Sequence, residues 1–475
     1  MKTFHISLVG RRDLAGEIFR QMRRAILDGR LKHGERMPAT RELARSLAVS
    51  RSTVTAAYER LVGEGLATSQ AGAATFVNHA VRRSNQEPRL ARTHSTLKPQ
   101  AVWNSVSSLV AFESPARFDF RMGIPDAALF PHLQWRRAVT RALRSGEKTE
   151  AFYDASSGAR ALRHAISDHI AISRSVEAPP EDLIITNGTQ QALDLISRIV
   201  LAPGDVIAME DPGYSPAVQL FKSLRLQIQG VPVDREGLVV ERLPANARAV
   251  YVTPSHQFPL GVPMSLPRRQ ALLAWAERHD AAIIEDDYDS EFRFGGRPLE
   301  PLHTLDTSGR VVYVGTFSKT MLPSLRLGFL VLPPSLRSAA IKAKFVSDWH
   351  SASLVQSAMA GFIVDGSFAR HIRKAGRVYS ERHALVSATL RRDFAPHLEL
   401  VASSTGLHVA ALARTASVAQ IATVAKRAAE VGVGIQQLAH FSVEARPRAG
   451  ITIGYGAIAT SKIAEGLRRL RKCFG

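Results

Sequence analysis

The stretch VVYVGTFSKTMLPSLRLGFLV, residues 311–331, decides the reading of this chain. An apolar run of strand type enters a polar loop, passes a single lysine and returns along a strand that carries an arginine. A lysine amine condenses with an aldehyde only where it is held at the carbonyl carbon and can shed its proton, which a loop near another cation promotes. Lys319 is therefore the Schiff-base candidate. Thr316, Ser318 and Arg326 add two hydroxyls and a guanidinium fork that suit a phosphate dianion. A Ser-Lys pair alone carries no such meaning, so its companions must be found elsewhere in the chain.

They stand upstream. AAIIEDDYDSEF, residues 281–292, ends an apolar strand in three acids and places Asp286 33 residues before the lysine. Pyridoxal phosphate (PLP) is an aldehyde that carries a phosphate, and its pyridine nitrogen needs a carboxylate because the protonated ring is the electron sink. Asp286 fits that role, with Asp287 and Glu285 competing, and Tyr288 would reach the phenolic oxygen. ITNGTQQALDLI, residues 185–196, reads as strand, glycine turn and helix N-terminus, so Gly188, Thr189 and Gln190 form a natural phosphate cradle. In EDPGYSPA, residues 210–217, Tyr214 follows a strand end and could stack on the ring.

Around these motifs the pattern alternates. Strands are predicted at Leu183–Thr186, Val206–Met209, Ala249–Thr253, Ala281–Glu285 and Val311–Gly315, with helices from Thr189, from Ser215 and over Leu266–His279. That is an α/β domain with a mostly parallel, helix-covered sheet, running from 117 to 475. At 475 residues the chain has room for a second, smaller module. Its 45% hydrophobic and 22% charged content is that of a globular protein in solution, and one cysteine, Cys473, excludes an internal disulfide framework. The apolar stretch Phe4–Val9 is too short for a signal peptide, and no run of apolar residues is of membrane-spanning length. A cytoplasmic protein without a membrane partner is expected, and no metal site.

Half of the net charge of +20 sits in the first hundred residues, which hold 18 Lys and Arg against 8 Asp and Glu. There, Asp13–Asp28 has helical periodicity, Thr40 can cap a second helix, Ala48–Ser50 is a short turn, and Ser52–Glu64 forms a third helix. Leu66–Val77 reads as a two-stranded wing with Gly72 at its tip. Residues 1–78 are thus a winged helix-turn-helix, mostly α with a β wing. Ser50, Arg51, Ser52 and Thr53 open the recognition helix, where free N–H groups and side chains meet bases and phosphates of double-stranded DNA. Arg36, Arg41 and Gly72 are further candidate contacts. Residues 79–116 have few periodic apolar positions and many arginines, and are expected to be a basic flexible linker.

The segment 29–66, GRLKHGERMPATRELARSLAVSRSTVTAAYERLVGEGL, resembles the GntR class of winged helix-turn-helix domains, and 117–475 resembles a fold type I aminotransferase domain. That fusion is the architecture of the MocR/GabR family of transcription regulators. The resemblance implies PLP held on Lys319 as an internal aldimine, and it favours Asp286 over its neighbours through the family's Asp-x-Tyr spacing. It also implies a head-to-tail homodimer on paired half-sites, with Tyr153, in FYDASSGARALR (152–163), reaching the partner's phosphate. In TPSHQFPLG (253–261), His256 would replace the enzymes' asparagine near the ring hydroxyl. Where aminotransferases hold the substrate carboxylate on an arginine, AGITIGYGA (449–457) has Thr452, with Arg446 and Arg448 as possible substitutes. Pro216 stands where GABA-responsive members are expected to carry another arginine. The effector expected is therefore PLP itself or an amine, and regulation rather than turnover, the alternative being a working aminotransferase with a DNA-binding appendage.

Overall fold

In the computed structural model the residues described are 6–8, 13–70, 74–78, 98–107, 116–146, 153–295, 300–444 and 447–475. They form two compact units, Met1–Pro99 and Gln100–Gly475. Among them, no helix is long and apolar enough to cross a membrane.

The small unit is three helices and a hairpin: α1 (Leu14–Leu27), α2 (Thr40–Ser46), α3 (Arg51–Gly63), β1 (Ala67–Gln70) and β2 (Ala74–Val77). Ile18, Met22 and Ile26 recur at helical spacing on α1 and close on Val54, Ala57, Tyr58 and Leu61 of α3. Asp13 caps α1 through the N–H of Gly16, and Ser50 caps α3 through the N–H of Thr53 at 3.1 Å. Thr40 does not cap α2: Ala39 occupies that position and makes no side-chain cap, so Thr40 is the first helical residue. The wing pairs antiparallel, Ala67 facing Val77. Gly72 and most of the expected linker lie outside the described residues. The stretch 100–107 packs on the large unit, where Ser107 N–H donates to Gln219 (2.8 Å) and Arg225 donates to Gln100 (2.6 Å).

The large unit is built on eight strands: β3 (Leu183–Thr186), β4 (Val206–Asp211), β5 (Gln227–Asp234), β6 (Gly237–Leu238), β7 (Ala247–Val252), β8 (Ala282–Asp287), β9 (Val311–Thr316) and β10 (Gly328–Val331). Their order across the sheet is β3-β10-β9-β8-β7-β4-β5-β6. The central neighbours pair parallel, while β10 runs antiparallel to both β9 and β3. Every residue of β3, β9 and β10 is buried, as expected for strands covered on both faces. A second sheet near the C-terminus takes strands Leu398–Leu400, His408–Ala413, Gly450–Gly454 and Gln436–Gln437 in that order. Arg326 is not in β10: it follows the turn Pro323–Leu325 with φ 49°, ahead of the strand.

Candidate functional site

Three parallel strand ends and the β9–β10 loop come together at one edge of the sheet. Asp286 is the next-to-last residue of β8, Tyr251 lies in neighbouring β7, and Lys319 follows the end of β9. Parallel pairing of β8 with both neighbours brings the carboxyl ends of all three strands to the same edge, where an open α/β sheet presents its crevice.

The three acids at the end of β8 part company here. Glu285 accepts the backbone N–H groups of Leu302 and His303, both at 2.9 Å. Asp287 takes the Arg174 guanidinium at 2.7 Å and the Tyr313 hydroxyl at 2.6 Å, and although burial opposes its charge, Arg174 holds its carboxyl below the usual range. Among the described residues Asp286 accepts only the Tyr251 hydroxyl, at 2.8 Å, and its buried Oδ1 has no partner. Burial pushes its pKa up to about 7, against the pull of the Tyr251 hydrogen bond. Of the three, Asp286 is the acid whose only side-chain partner is neutral.

Lys319 donates to the Gly123 carbonyl at 2.8 Å. Burial lowers its pKa, with the carboxylates of Asp289 and Asp286 pulling the other way. On the β9 side, Thr316 Oγ1 donates to Ser318 Oγ (3.0 Å) and accepts the Ser318 N–H (3.2 Å). Arg326 reaches across to the Asn187 carbonyl at 2.7 Å. Gly188, at φ 83°, stands at the N-cap of helix Thr189–Val200, and a Cβ there would fall 2.8 Å from the Arg326 guanidinium. Only glycine allows that approach, so backbone N–H groups and the guanidinium face one small cradle. Gln190 turns its amide away to the Pro216 carbonyl, 3.0 Å.

Tyr288 donates its hydroxyl to the His256 carbonyl (2.9 Å) and lies 3.1 Å from His256 Nδ1, which bonds Asp289 at 3.0 Å. Tyr214 packs edge-on against Phe258, ring centroids 5.4 Å apart, and burial pushes its phenol up to about 12. Tyr153 is 71% exposed and stacks on Trp349 at 4.1 Å. Thr452 is fully buried in the second sheet, and its hydroxyl donates to the Gln436 carbonyl at 3.4 Å. Arg448 donates to the Val233 carbonyl, and Arg446 lies outside the described residues.

Sequence reasoning did not name Tyr251, Gly123, Arg174, Asp289 or His408. Gly123 lies 196 residues from Lys319 and nothing local marks it. Asp289 had a signal, as a further acid in the EDDYD run. His256, Asp289 and His408 bring ligand-type atoms within 4.8 Å of one another; His256 Nδ1 bonds Asp289 and His408 Nε2 the Pro259 carbonyl, while His256 Nε2 is buried without a partner among the described residues.

On the small unit, Arg51 and Ser52 are exposed at the start of α3, and with Thr55, Ala56 and Glu59 they line a shallow groove of about 550 Å³. Ser50 Oγ sits 2.8 Å from Ser52 Oγ and 2.7 Å from Thr53 Oγ1. Arg36 and Arg41 are exposed.

The aminotransferase class I and II family matches residues 123–470, and the gntR family of bacterial regulatory proteins matches residues 14–77. Over 469 residues the chain is 35% identical to the probable rhizopine catabolism regulatory protein MocR of Rhizobium meliloti, spanning 96% of this chain and 93% of that protein. It is 31% identical over 441 residues to the pyridoxine biosynthesis transcriptional regulator PdxR of Corynebacterium glutamicum, spanning 93% and 91%. Kynurenine aminotransferase of Pyrococcus horikoshii, solved with PMP, is similar at TM-score 0.70 and 26% identity, covering 76% of this chain and 91% of that one.

Proposed function

This chain belongs to the MocR/GabR family of transcription regulators, and from that premise we propose that its large unit holds PLP and translates the chemistry of a small effector into altered DNA binding. The observation that carries the reading is Asp286: a buried acid with one oxygen unpartnered among the described residues and the other on a neutral hydroxyl, with a half-buried lysine, Lys319, whose hydrogen-bond partner is a carbonyl. An orphaned acid in a core costs stability unless a ligand completes it, and a pyridinium N–H is the group that does so.

The residues present fit the cofactor. Asp286 Oδ1 would take the ring nitrogen, Tyr288 the phenolic oxygen and Tyr214 the ring face. Arg326, Thr316, Ser318 and the N–H groups of Gly188 and Thr189 would take the phosphate. When bound, PLP supplies an aldehyde carbon that accepts an amine and a protonated ring that withdraws electrons. Lys319, its cation disfavoured by burial, offers a larger share of neutral, nucleophilic amine than a lysine in water. The strand position where the amino-acid enzymes carry the clamp arginine holds Thr452, whose hydroxyl donates to the Gln436 carbonyl, and among the described residues the nearby Arg448 is turned to the Val233 carbonyl. That favours PLP itself or an amine as effector, and regulation over turnover.

The protein acts as a homodimer, each copy offering one winged helix to a half-site of double-stranded DNA in the cytoplasm. Supporting the dimer, Tyr153 and the stripe Phe345, Val346 and Trp349 leave apolar surface in water. The contacts with DNA come from Arg36, Arg41 and the Ser50–Thr53 start of α3. The test is the visible spectrum of the purified protein with added PLP. A band that borohydride bleaches, and DNA affinity that shifts with PLP, support the reading. A colourless, unreduced protein refutes the cofactor, and steady transamination of an amino donor would make the chain an enzyme instead.

A further inference from the structure

The large unit carries a basic surface that plays no part in the pocket. Helix His132–Gly146 has arginines at 136, 137, 141 and 144, all exposed, and no acidic residue along its length. Arg136, Arg137, Thr140, Arg141 and Arg144 line one groove of about 340 Å³. Arg137, Arg141 and Arg144 follow the i, i+4, i+7 spacing that stacks side chains along one stripe. The N-terminal turns of helix Ser367–Asp393 add Arg370, Arg373, Lys374 and Arg377, also exposed. The two helices meet at Asp365, whose carboxylate takes Arg141 at 3.7 Å and whose carbonyl accepts from Arg370 at 3.2 Å. The two basic faces are therefore continuous. Among the described residues, Arg136, Arg137, Arg144, Arg373 and Arg377 have no hydrogen bond or ion pair.

Like charges stacked on one helix weaken it, so a stripe of this kind, which Asp365 answers only at Arg141, is stable only at some cost and points to an external polyanion. A second copy of the chain does not fit, because a two-fold interface through this face would set cations against cations. The tethered winged helix keeps duplex DNA at high effective concentration around the same chain. The rise from Arg137 to Arg144 is about 10 Å along the helix, roughly the axial rise of three phosphates on one strand. We propose that this face is a second DNA-binding surface, gripping the phosphate backbone of duplex DNA outside the half-sites without reading bases.

The test uses the full-length protein and long mixed-sequence duplex DNA, with affinity measured across a series of salt concentrations. Arg137→Gln/Arg141→Gln/Arg144→Gln should reduce the slope of log affinity against log salt by about 1 for each phosphate that is no longer neutralised. Arg373→Gln/Lys374→Gln/Arg377→Gln should act the same way, and an unchanged far-UV circular dichroism spectrum and melting temperature identify folded variants. The weakening should be equal on any duplex, whereas Arg51→Ala should lower discrimination between duplexes. Slopes and affinities that match wild type in both triple variants overturn the proposal. So does a loss of binding to phosphatidylglycerol vesicles with DNA binding intact, which would assign the face to a membrane surface.

Discussion

Half-buried Lys319 and buried Asp286 in the large unit have one hydrogen-bonding partner each among the described residues, while Arg36, Arg41 and Arg51 stand in water on the small one. In the first region the protein withholds partners, so burial shifts the lysine down and the acid up, and one missing ligand matters greatly. In the second, charge is spread over side chains that water already satisfies, and each adds a small, salt-sensitive share. The lesson is that the pocket should respond to single substitutions almost all-or-none, and the DNA face by degrees.

The sharpest way to break that contrast is Lys319→Ala. Borohydride should then fix no PLP to the protein, although reversible binding persists, and mass spectrometry after reduction reads the outcome directly. Asp286→Asn comes next. Loss of a charge-assisted hydrogen bond of about 2–3 kcal/mol should weaken PLP binding by about 100-fold.

The same variant tests the electrostatics. Because the folded pKa of Asp286 is raised from 3.8 to about 7, the folded state keeps its proton where the unfolded chain has lost it. Stability of the PLP-free protein should therefore fall as pH rises across that window, and the full deficit of up to about 4 kcal/mol remains above it. Asp286→Asn should remove the deficit, so that chemical denaturation at pH 8 finds the variant more stable than wild type. Equal stability at pH 8 would mean that Asp286 has a partner in the empty pocket.

On the DNA face the effects shrink. Arg51→Ala should cost about 1–3 kcal/mol of binding on a preferred duplex if it reads a base, seen as reduced discrimination, and a salt slope lower by about 1 if it meets a phosphate. Ser50→Ala removes the cap of α3 and should cost about 1 kcal/mol of stability, seen as earlier melting of the small unit. A loss at Arg51 as complete as that at Lys319 would erase the distinction between the regions.

Much of the fold was legible because its signals are local. Continuous apolar runs marked β3, β4, β7, β8 and β9 to within two residues at either end, and 3.6-residue periodicity marked α1 and α3. Errors fell where a boundary depends on backbone rather than side chain: Ala39 in place of Thr40 at a cap, and Arg326 in a left-handed turn rather than in a strand. Tyr153 could not be assigned from one chain, since its stacking on Trp349 says only that it is exposed and apolar.

By itself the sequence determined the kinds of chemistry available: a lysine after a strand, acids at a strand end, a glycine turn opening a helix, and a basic helix-turn-helix ahead of them. Residue identity and spacing along the chain suffice for that. Only the tertiary structure decided which acid is free, because Glu285, Asp286 and Asp287 are adjacent and chemically alike until their neighbours arrive. Two backbone N–H groups occupy Glu285, and Arg174 from 113 residues away neutralises Asp287; Asp286 and Asp287 each keep one oxygen without a partner among the described residues, but Asp286 alone meets only a neutral hydroxyl, that of Tyr251. Desolvation and pairing are properties of what surrounds a group in space, and the linear order of residues does not contain them.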